Sequence, residues 1–219
     1  VFLKLLDMEC NPEPSDHNNI TALMYAFKYY TYDSKVFLKL LDMNCKPEHI
    51  AVKNKTALMN AFKHYGKNYN CDSRVLLKLL DMDCKPEHID YDNRTTLMMA
   101  FKYYGQNPKC DSRVLLKLLN MNCRPDHIGS RENETVLMYA FKYYGENRYC
   151  DSQVLLKLLD INCKPEYINN YNWTTLMIAL QYYGQNPKCD SRVLLKLLDM
   201  DCKPEHIDNY NKTTLMYAF

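Results

Sequence analysis

Cysteine and histidine recur together in this chain at a spacing that could hold a metal ion. A Cys-x-x-x-His pair occurs at Cys45/His49, Cys84/His88, Cys123/His127 and Cys202/His206. Thiolate and imidazole are common zinc ligands, but a structural zinc site needs four of them. The corresponding partner is Pro14 in one copy and Tyr167 in another, and no second pair lies nearby in the sequence. We therefore predict no metal site and no cofactor.

The cysteines form two rows rather than obvious disulfide pairs. One row is Cys10, Cys45, Cys84, Cys123, Cys163 and Cys202, and the other is Cys71, Cys110, Cys150 and Cys189. A predicted helix of about 10 residues, roughly 15 Å long, separates the rows, whereas a disulfide needs Cα atoms within about 7 Å. We expect the first row to serve as small buried residues. Ten unpaired thiols indicate a reducing compartment, so we predict an intracellular, cytoplasmic protein.

Six Asn-x-Thr sequons could indicate N-glycosylation, at Asn19, Asn54, Asn93, Asn133, Asn172 and Asn211. A structural explanation covers all six, because asparagine suits a tight turn and threonine suits the start of the helix that follows. We favour that explanation over glycosylation.

Catalysis and nucleic-acid binding have little support in the sequence. There is no phosphate-binding glycine loop and no nucleophile elbow, and the chain has five glycines. Lys and Arg number 28 against 26 Asp and Glu, so the formal net charge of +2 does not indicate the basic surface that nucleic-acid-binding proteins have. No apolar run approaches the roughly 18 residues of a membrane span. We predict no catalytic residue, no enzyme activity, no nucleic acid and no membrane contact.

The elements that position these residues are copies of one unit. A threonine opens a Thr-x-Leu-Met motif in each copy, at Thr21, Thr56, Thr95, Thr135, Thr174 and Thr213. The steps between them are 35, 39, 40, 39 and 39 residues, and a fixed step in the range of roughly 20 to 50 residues predicts a stacked solenoid. We expect residues 1–219 to form a single array of about six units, truncated at both ends because it begins and stops inside helical patterns without polar capping units.

Each unit carries two helical patterns. In the third copy, Leu97, Met98 and Phe101 fall on one face after Thr95, which we expect to cap the helix, and Gly105 suits a left-handed stop. The second pattern, residues 111–121, is capped by Asp111 or Ser112 and buries a valine and leucine face. The prediction is an all-α, helix-turn-helix solenoid with short turns or vestigial hairpins between units.

The motif Asn-x-Thr-x-Leu-Met-x-Ala, followed by Gly and then by Val-x-x-x-Leu-Leu, resembles the ankyrin repeat. The resemblance covers the whole chain but is divergent: Thr96 and Met98 replace the family's proline and histidine. The family period is about 33 residues, so each longer unit has roughly six extra residues, which fall between its two helices. A plain two-helix solenoid of the tetratricopeptide or HEAT type is the alternative.

The resemblance implies a concave binding surface built from the turn tips and the first helices. Comparison of the copies shows that the positions just before each threonine vary, while the helix cores persist. Candidate partner-binding residues in the turns are Val52, Lys53, Lys55, Tyr91, Asp92, Arg94, Arg131, Glu132, Glu134, Tyr171, Trp173 and Tyr210, and on the first helices Tyr103, Tyr143 and Tyr182. We expect Tyr171 and Trp173 to act as the anchor. Drift at exposed tips is the other explanation for the variation.

These patterns favour a scaffold that binds another protein, since aromatic and long basic side chains suit interfaces. One alternative is a structural array that associates with copies of itself. Another is a substrate adaptor whose effector module lies outside these residues.

Overall fold

The computed structural model describes residues 2–8, 10–30, 33–43, 45–68, 72–82, 84–121, 123–129, 132–161 and 163–219. Units are numbered 1 to 6 by the threonines at 21, 56, 95, 135, 174 and 213. The first helices of units 1 to 5 are α2 (Ala22–Tyr29), α4 (Ala57–Lys67), α6 (Thr96–Met99), α8 (Val136–Tyr139) and α10 (Thr175–Ile178). The second helices are α1 (Phe2–Leu6), α3 (Ser34–Asp42), α5 (Ser73–Asp81), α7 (Ser112–Leu119), α9 (Ser152–Leu159) and α11 (Ser191–Leu198). The predicted all-α helix-turn-helix stack is confirmed.

The first helices begin where the sequence predicts. The hydroxyls of Thr21, Thr56, Thr95, Thr135 and Thr174 each accept a hydrogen bond from the methionine N–H three residues further on, at 3.2 to 3.4 Å. Each bond satisfies one of the orphan donors at a helix start and contributes about 1 kcal/mol. Thr213 makes no such bond before the closing 3₁₀ turn Thr214–Tyr217.

The first helices of units 3 to 5 do not end as predicted. Each continues into a π-helical segment, at Ala100–Tyr104, Ala140–Gly145 and Ala179–Gly184. The prediction that the helix ends at a left-handed Gly105 is therefore wrong, because the φ of Gly105 is −60°. In this wider turn Tyr104 is buried, and its hydroxyl accepts a hydrogen bond from the N–H of Asp111 at 2.9 Å.

Glycine is needed near these helix ends because successive units approach closely. A Cβ at Gly66 would lie 2.5 Å from the carbonyl carbon and oxygen of Tyr103, and one at Gly145 would lie 3.0 Å from Cβ of Tyr183. Both contacts are with the next unit of the stack. The absence of a side chain, rather than a left-handed φ, explains these two glycines.

The second helices are capped by aspartate and cross-linked by ion pairs. Asp33, Asp72, Asp111, Asp151 and Asp190 accept from the backbone N–H two residues further on. Lysine of one unit pairs with aspartate of the preceding unit at Lys39/Asp7, Lys78/Asp42, Lys117/Asp81 and Lys196/Asp160. The corresponding position for Lys157 is Asn120, which cannot form an ion pair. Exposed pairs of this kind contribute roughly 0 to 1 kcal/mol each.

Each unit is joined to the next by a short turn closed with an isolated antiparallel bridge. Ile89 bridges Thr95, and similar bridges close the other turns. The sequon asparagines Asn19, Asn54, Asn93, Asn133, Asn172 and Asn211 all have positive φ, from 52° to 62°. The sequence prediction that asparagine shapes these turns is confirmed, since asparagine tolerates left-handed geometry better than most residues.

The extra residues between the two helices form loops that are tied across units by asparagine. Asn147 Nδ2 donates to the carbonyls of Gly105 at 2.7 Å and Asn107 at 3.0 Å. Asn107 and Asn186 make the same pair of bonds to their preceding units. This asparagine ladder (Asn107, Asn147 and Asn186) is buried, so it satisfies backbone carbonyls that would otherwise lack partners.

The core is a continuous column of side chains from both helices of each unit. The methionine of each Thr-x-Leu-Met motif is expected to be core, and Met24, Met59, Met98, Met138 and Met177 are at most 1% exposed, but Met216 of unit 6 is 61% exposed, so the expectation is wrong there. Burial of each such side chain contributes about 1.5 to 3 kcal/mol, and each unit contacts its neighbours through it. No helix in the described ranges is long and apolar enough to cross a membrane.

Candidate functional site

The candidate site is the surface formed by the turn tips and the outward side chains of the first helices, called here the tip face. Neighbouring tips are joined by backbone hydrogen bonds, from Val52 N to Asn18 O at 3.0 Å and from Tyr91 N to Lys53 O at 3.1 Å. Asn170 N donates to Glu132 O in the same way at 3.0 Å. The variable residues of successive units therefore lie side by side on one surface.

An aspartate or asparagine stabilises most of these tips from within. Asp90 accepts from the N–H groups of Asp92 and Arg94 at 3.0 and 2.9 Å. The same two bonds are made at Asp16, Asn169 and Asp208. Ala51 occupies this position in unit 2 and cannot accept a hydrogen bond through its side chain. There Lys53 has a φ of 64°, and all other positive-φ residues in the described ranges are the turn asparagines. A lysine in this left-handed region is strained, because its Cβ comes close to the following carbonyl oxygen.

A pocket of about 270 Å³ lies on the tip face between units 4, 5 and 6. Glu134, Lys142, Tyr171, Trp173, Tyr182 and Tyr210 contribute to its lining. We call it the C-terminal pocket. The structure thus brings together the predicted anchor pair, Tyr171 and Trp173, with the acidic residues predicted to lie beside them.

The anchor residues differ in their accessibility. Tyr171 and Tyr210 are exposed, at 50% and 75%. Trp173 is half-buried, with its ring 4.9 Å from the ring of Tyr217 in an edge arrangement. Burial would raise the pKa of Asp208, but hydrogen bonds from the Tyr217 hydroxyl and from backbone N–H groups hold it below its usual range. Trp173 therefore forms part of the pocket wall, and the tyrosines carry most of the accessible aromatic surface.

The charged groups of the C-terminal pocket neutralise one another. Lys142 Nζ lies 2.8 Å from Glu134 and 3.1 Å from Glu132. Burial raises the pKa of Glu134, which is 2% exposed, and Lys142 offsets only part of that effect. Burial lowers the pKa of Lys142, but its hydrogen bonds to the two carboxylates outweigh burial and raise it. Glu134 therefore pairs with Lys142 inside the pocket and is not accessible as a contact for a partner.

A second depression, of about 750 Å³, lies on the tip face between units 1 and 2. We call it the N-terminal groove. Its walls include apolar Ile20, Phe27 and Val52 together with five lysines, Lys28, Lys53, Lys55, Lys63 and Lys67. No carboxylate is found among the described residues that line it. Three predicted residues, Val52, Lys53 and Lys55, belong to this groove.

The remaining predicted residues lie between these two depressions. Tyr91 is the most exposed tyrosine tip, at 78%. Arg94 is half-buried and pairs with Asp90 and Asp92, both at 2.6 Å. Tyr103 and Tyr143 are half-buried on the first helices, and Lys102 Nζ lies 5.3 Å from the Tyr143 ring centroid. Arg131 lies outside the described residues.

Three of the four histidines of the repeated pairs bond to the preceding turn, whereas His49 Nε2 has no hydrogen-bond partner. In the first cysteine row Cys45, Cys84 and Cys163 are buried and Cys123 and Cys202 are half-buried, but Cys10 is exposed, so the expectation of burial is wrong there. His88, His127 and His206 donate Nε2–H to the carbonyls of Asn54, Asn93 and Asn172, at 2.9 to 3.0 Å. Burial raises the pKa of the Cys45 thiol to about 11 and that of Cys163 to about 12, so these thiols stay protonated at neutral pH. The described part of the chain has no group of three or more His, Cys, Asp or Glu placed to hold a metal. Cys71 lies outside it.

Sequence reasoning missed Lys28, Lys63, Lys67 and His64 as members of one groove. Lys28 and Lys63 occupy equivalent positions of the first helices, but the sequence does not show that Lys67 and His64 join them in one groove. The missed signal was the change from Asp90 to Ala51 at equivalent turn positions, which removes the acid that would pair with Lys55.

The fold of this chain is that of ankyrin-repeat domains. It matches the ankyrin-repeat domain of Bcl-3, a member of the IkappaB protein family, with a TM-score of 0.57 and 21% identity over 99% of this chain and 87% of that one. It matches the human ASB11 ankyrin-repeat domain with a TM-score of 0.60 and 19% identity, over 99% and 85% of the two chains.

A third match is to a chain in the complex of the Bd0816 predatory endopeptidase of Bdellovibrio bacteriovorus with the immunity protein Bd3460. Its TM-score is 0.60 at 18% identity, over 94% of this chain and 92% of that one. No protein-family model and no curated protein sequence matches the chain. At these identities the likeness establishes the architecture predicted from the repeat motif.

Proposed function

We propose that this chain is a non-enzymatic scaffold that binds a partner protein through its tip face. The observation that carries the proposal is the exposure of tyrosines on the turn tips, with Tyr171 and Tyr210 of neighbouring tips lining the C-terminal pocket and Tyr91 on the tip of unit 3. Exposed aromatic side chains on a preorganised surface are typical anchors of protein interfaces. Two of the matched structures are described as ankyrin-repeat domains, and another as a complex of two proteins, which supports a role in protein binding.

The tip face suits this role because its shape is set before any partner arrives. Backbone hydrogen bonds join the tips, and side-chain caps hold the first helices beneath them. A rigid surface loses little conformational entropy on binding, which favours affinity. Variable side chains then decide which partner is bound, as in other repeat arrays.

The test compares Tyr171→Ala with Tyr149→Ala, because these tyrosines are 50% and 53% exposed but Tyr149 lies in an inserted loop at the opposite end of the first helix. A partner identified by affinity capture should bind the parent chain and Tyr149→Ala alike, and should bind Tyr171→Ala at least about tenfold more weakly, as expected for an interface anchor. Circular dichroism should be the same for all three.

Equal binding by all three proteins would exclude the Tyr171 tip from the interface. If no partner is captured and the mass in solution rises with concentration, the chain is instead a self-associating array. An effector module in a longer reading frame, with unchanged binding through the tip face, would identify a substrate adaptor.

A further inference from the structure

The N-terminal groove has an excess of positive charge that the rest of the tip face does not have. Lys28, Lys53, Lys55, Lys63 and Lys67 line it, and none of them pairs with a carboxylate in the described ranges. At the equivalent tip positions of unit 3, Arg94 pairs with Asp90 and Asp92. In unit 4, Lys142 pairs with Glu132 and Glu134. Among the described residues, this groove gathers five lysines without an ion pair, whereas Arg94 and Lys142 each lie between two carboxylates.

The cause can be traced to two residues of the turn. Ala51 takes the place of Asp90, and Lys53 takes the place of Asp92. The Ala51 N–H still donates to the Lys55 carbonyl at 2.9 Å, as the Asp90 N–H does to Arg94 at 3.0 Å, so the two turns are equivalent in register. Unit 2 has therefore lost two acids and gained a base within an unchanged backbone connection.

The lysines are close enough to affect one another. Burial lowers the pKa of Lys63, and repulsion from Lys55, Lys67, Arg94 and Lys28 lowers it further. Like charges gathered on one surface gain most when a polyanion approaches, because each new pair also relieves their repulsion. The groove is thus preorganised for a ligand that brings several negative charges.

The groove also contains a buried polar atom without a partner. His64 lines it and is 8% exposed, and its Nε2 makes no hydrogen bond. The equivalent residues of units 3 to 5 are Tyr103, Tyr143 and Tyr182. Burial lowers the pKa of His64, so the ring is neutral at pH 7. A buried polar group without a partner calls for an explanation, and a ligand in the groove would supply the missing hydrogen bond.

We infer that the N-terminal groove binds an extended acidic segment of a partner protein, with its carboxylates on the five lysines and an apolar side chain against Ile20, Phe27 and Val52. This inference rests on the proposed function and names the chemistry of the partner. Val52 is 51% exposed and lies beside Lys53, which suits a peptide in which acidic residues flank an apolar one. A nucleic acid fits less well, because Glu132 and Glu134 lie further along the same face and the whole chain carries only +2.

The probe is a fluorescein-labelled peptide with the sequence EEFEELEE, compared with the same peptide carrying glutamine at every glutamate. Fluorescence anisotropy should detect saturable binding of the acidic peptide to the full 219-residue chain. Affinity should fall at least about tenfold between about 50 and 300 mM salt, since screening shortens the range of the charges. The glutamine peptide should bind at least about tenfold more weakly.

Two double variants locate the site. Lys55→Ala/Lys63→Ala should weaken the acidic peptide at least about fivefold. Lys85→Ala/Lys157→Ala removes the same charge from exposed lysines outside the groove and should change affinity by less than about twofold. Ala51→Asp restores the acid of unit 3 while keeping every lysine, and it too should weaken the peptide. Circular dichroism confirms that each variant folds.

No saturable binding of the acidic peptide would overturn the inference, as would equal weakening by the two double variants. Tighter binding of a single-stranded oligonucleotide of the same charge would overturn it in favour of nucleic acid. If the peptide fails while partner capture remains sensitive to Tyr171→Ala, the groove inference alone is wrong. If Tyr171→Ala has no effect while the peptide binds as expected, the interface proposed around the C-terminal pocket is wrong.

Discussion

Units 2 and 4 have a lysine at the same position of the first helix, Lys63 and Lys142, but the charges around these two lysines are opposite. Lys142 is held between Glu134 and Glu132 in a pocket whose charges are balanced within the molecule. Lys63, at the equivalent position, faces other lysines and is repelled by them. The comparison teaches that a lysine at equivalent positions of two units can stabilise the array in one unit and present an unpaired charge in the other. The deciding residues are on the turn before each helix.

The sharpest way to break this comparison is to replace each lysine with methionine. Lys142→Met leaves Glu134 buried without its cation and should lower the free energy of unfolding by about 3 kcal/mol. Lys63→Met removes repulsion and a partly exposed charge, so the expected change is within about 0.5 kcal/mol. Urea unfolding measures both. Equal losses would mean that the two lysines play the same structural role.

Glu134 should also give the C-terminal pocket a pH dependence opposite in sign to that of the N-terminal groove, where burial lowers the pKa of His64. Because burial raises the pKa of Glu134 in the folded state, its stabilising contribution is greatest below the unfolded pKa and is lost as the pH rises through the folded pKa. Glu134→Gln should remove this loss, with a smaller effect than Lys142→Met because no bare charge is created. The unfolding free energy of the parent chain should therefore fall relative to that of Glu134→Gln as the pH rises above the ordinary glutamate pKa of 4.5.

The turn of unit 2 can be relieved of strain directly. Lys53 has a φ of 64°, whereas Lys55 has a φ of −99°. Lys53→Asn should raise the unfolding free energy by about 0.5 to 1 kcal/mol, because asparagine tolerates the left-handed region. Lys55→Asn is the matched control and should have no stabilising effect. A gain for neither variant would show that the tip relaxes without cost.

The smallest effect is expected on the second helices, where four of the repeated lysines already pair with an aspartate of the preceding unit. Asn120→Asp supplies the missing partner of Lys157, in the register of the other lysine and aspartate pairs. The expected gain is about 0.3 kcal/mol, and added salt should abolish it. Thermal unfolding at low and high salt provides the measurement, and a gain that survives salt would have another origin.

The sequence predicted the fold where local chemistry and repetition agree. Thr95 caps its helix, Met98 is core, and Asn93 shapes its turn, each for a reason visible in the residues themselves. The π-helical segment after Met99 could not be predicted, because its pattern of apolar residues also fits an α-helix. The role of Gly66 depends on the distance to Tyr103 in the next unit, which no single unit encodes.

The candidate site was predictable only in part. Tyr171 and Trp173 were placed together correctly, but the half-burial of Trp173 depends on Tyr217 of the following unit. Glu134 was expected at the surface because it lies in a variable turn, yet it is buried and paired with Lys142. The net charge of a surface depends on residues of several units together, so no single repeat position predicts the N-terminal groove.

The asparagine ladder and the histidine bonds at the turns lie at opposite ends of the first helices. Both connect neighbouring units through buried or half-buried side chains that reach backbone carbonyls. Bending the stack in either direction would lengthen one row or the other, so elastic deformation is resisted from both sides. The array should therefore be stiff, and the distance between the C-terminal pocket and the N-terminal groove should be fixed.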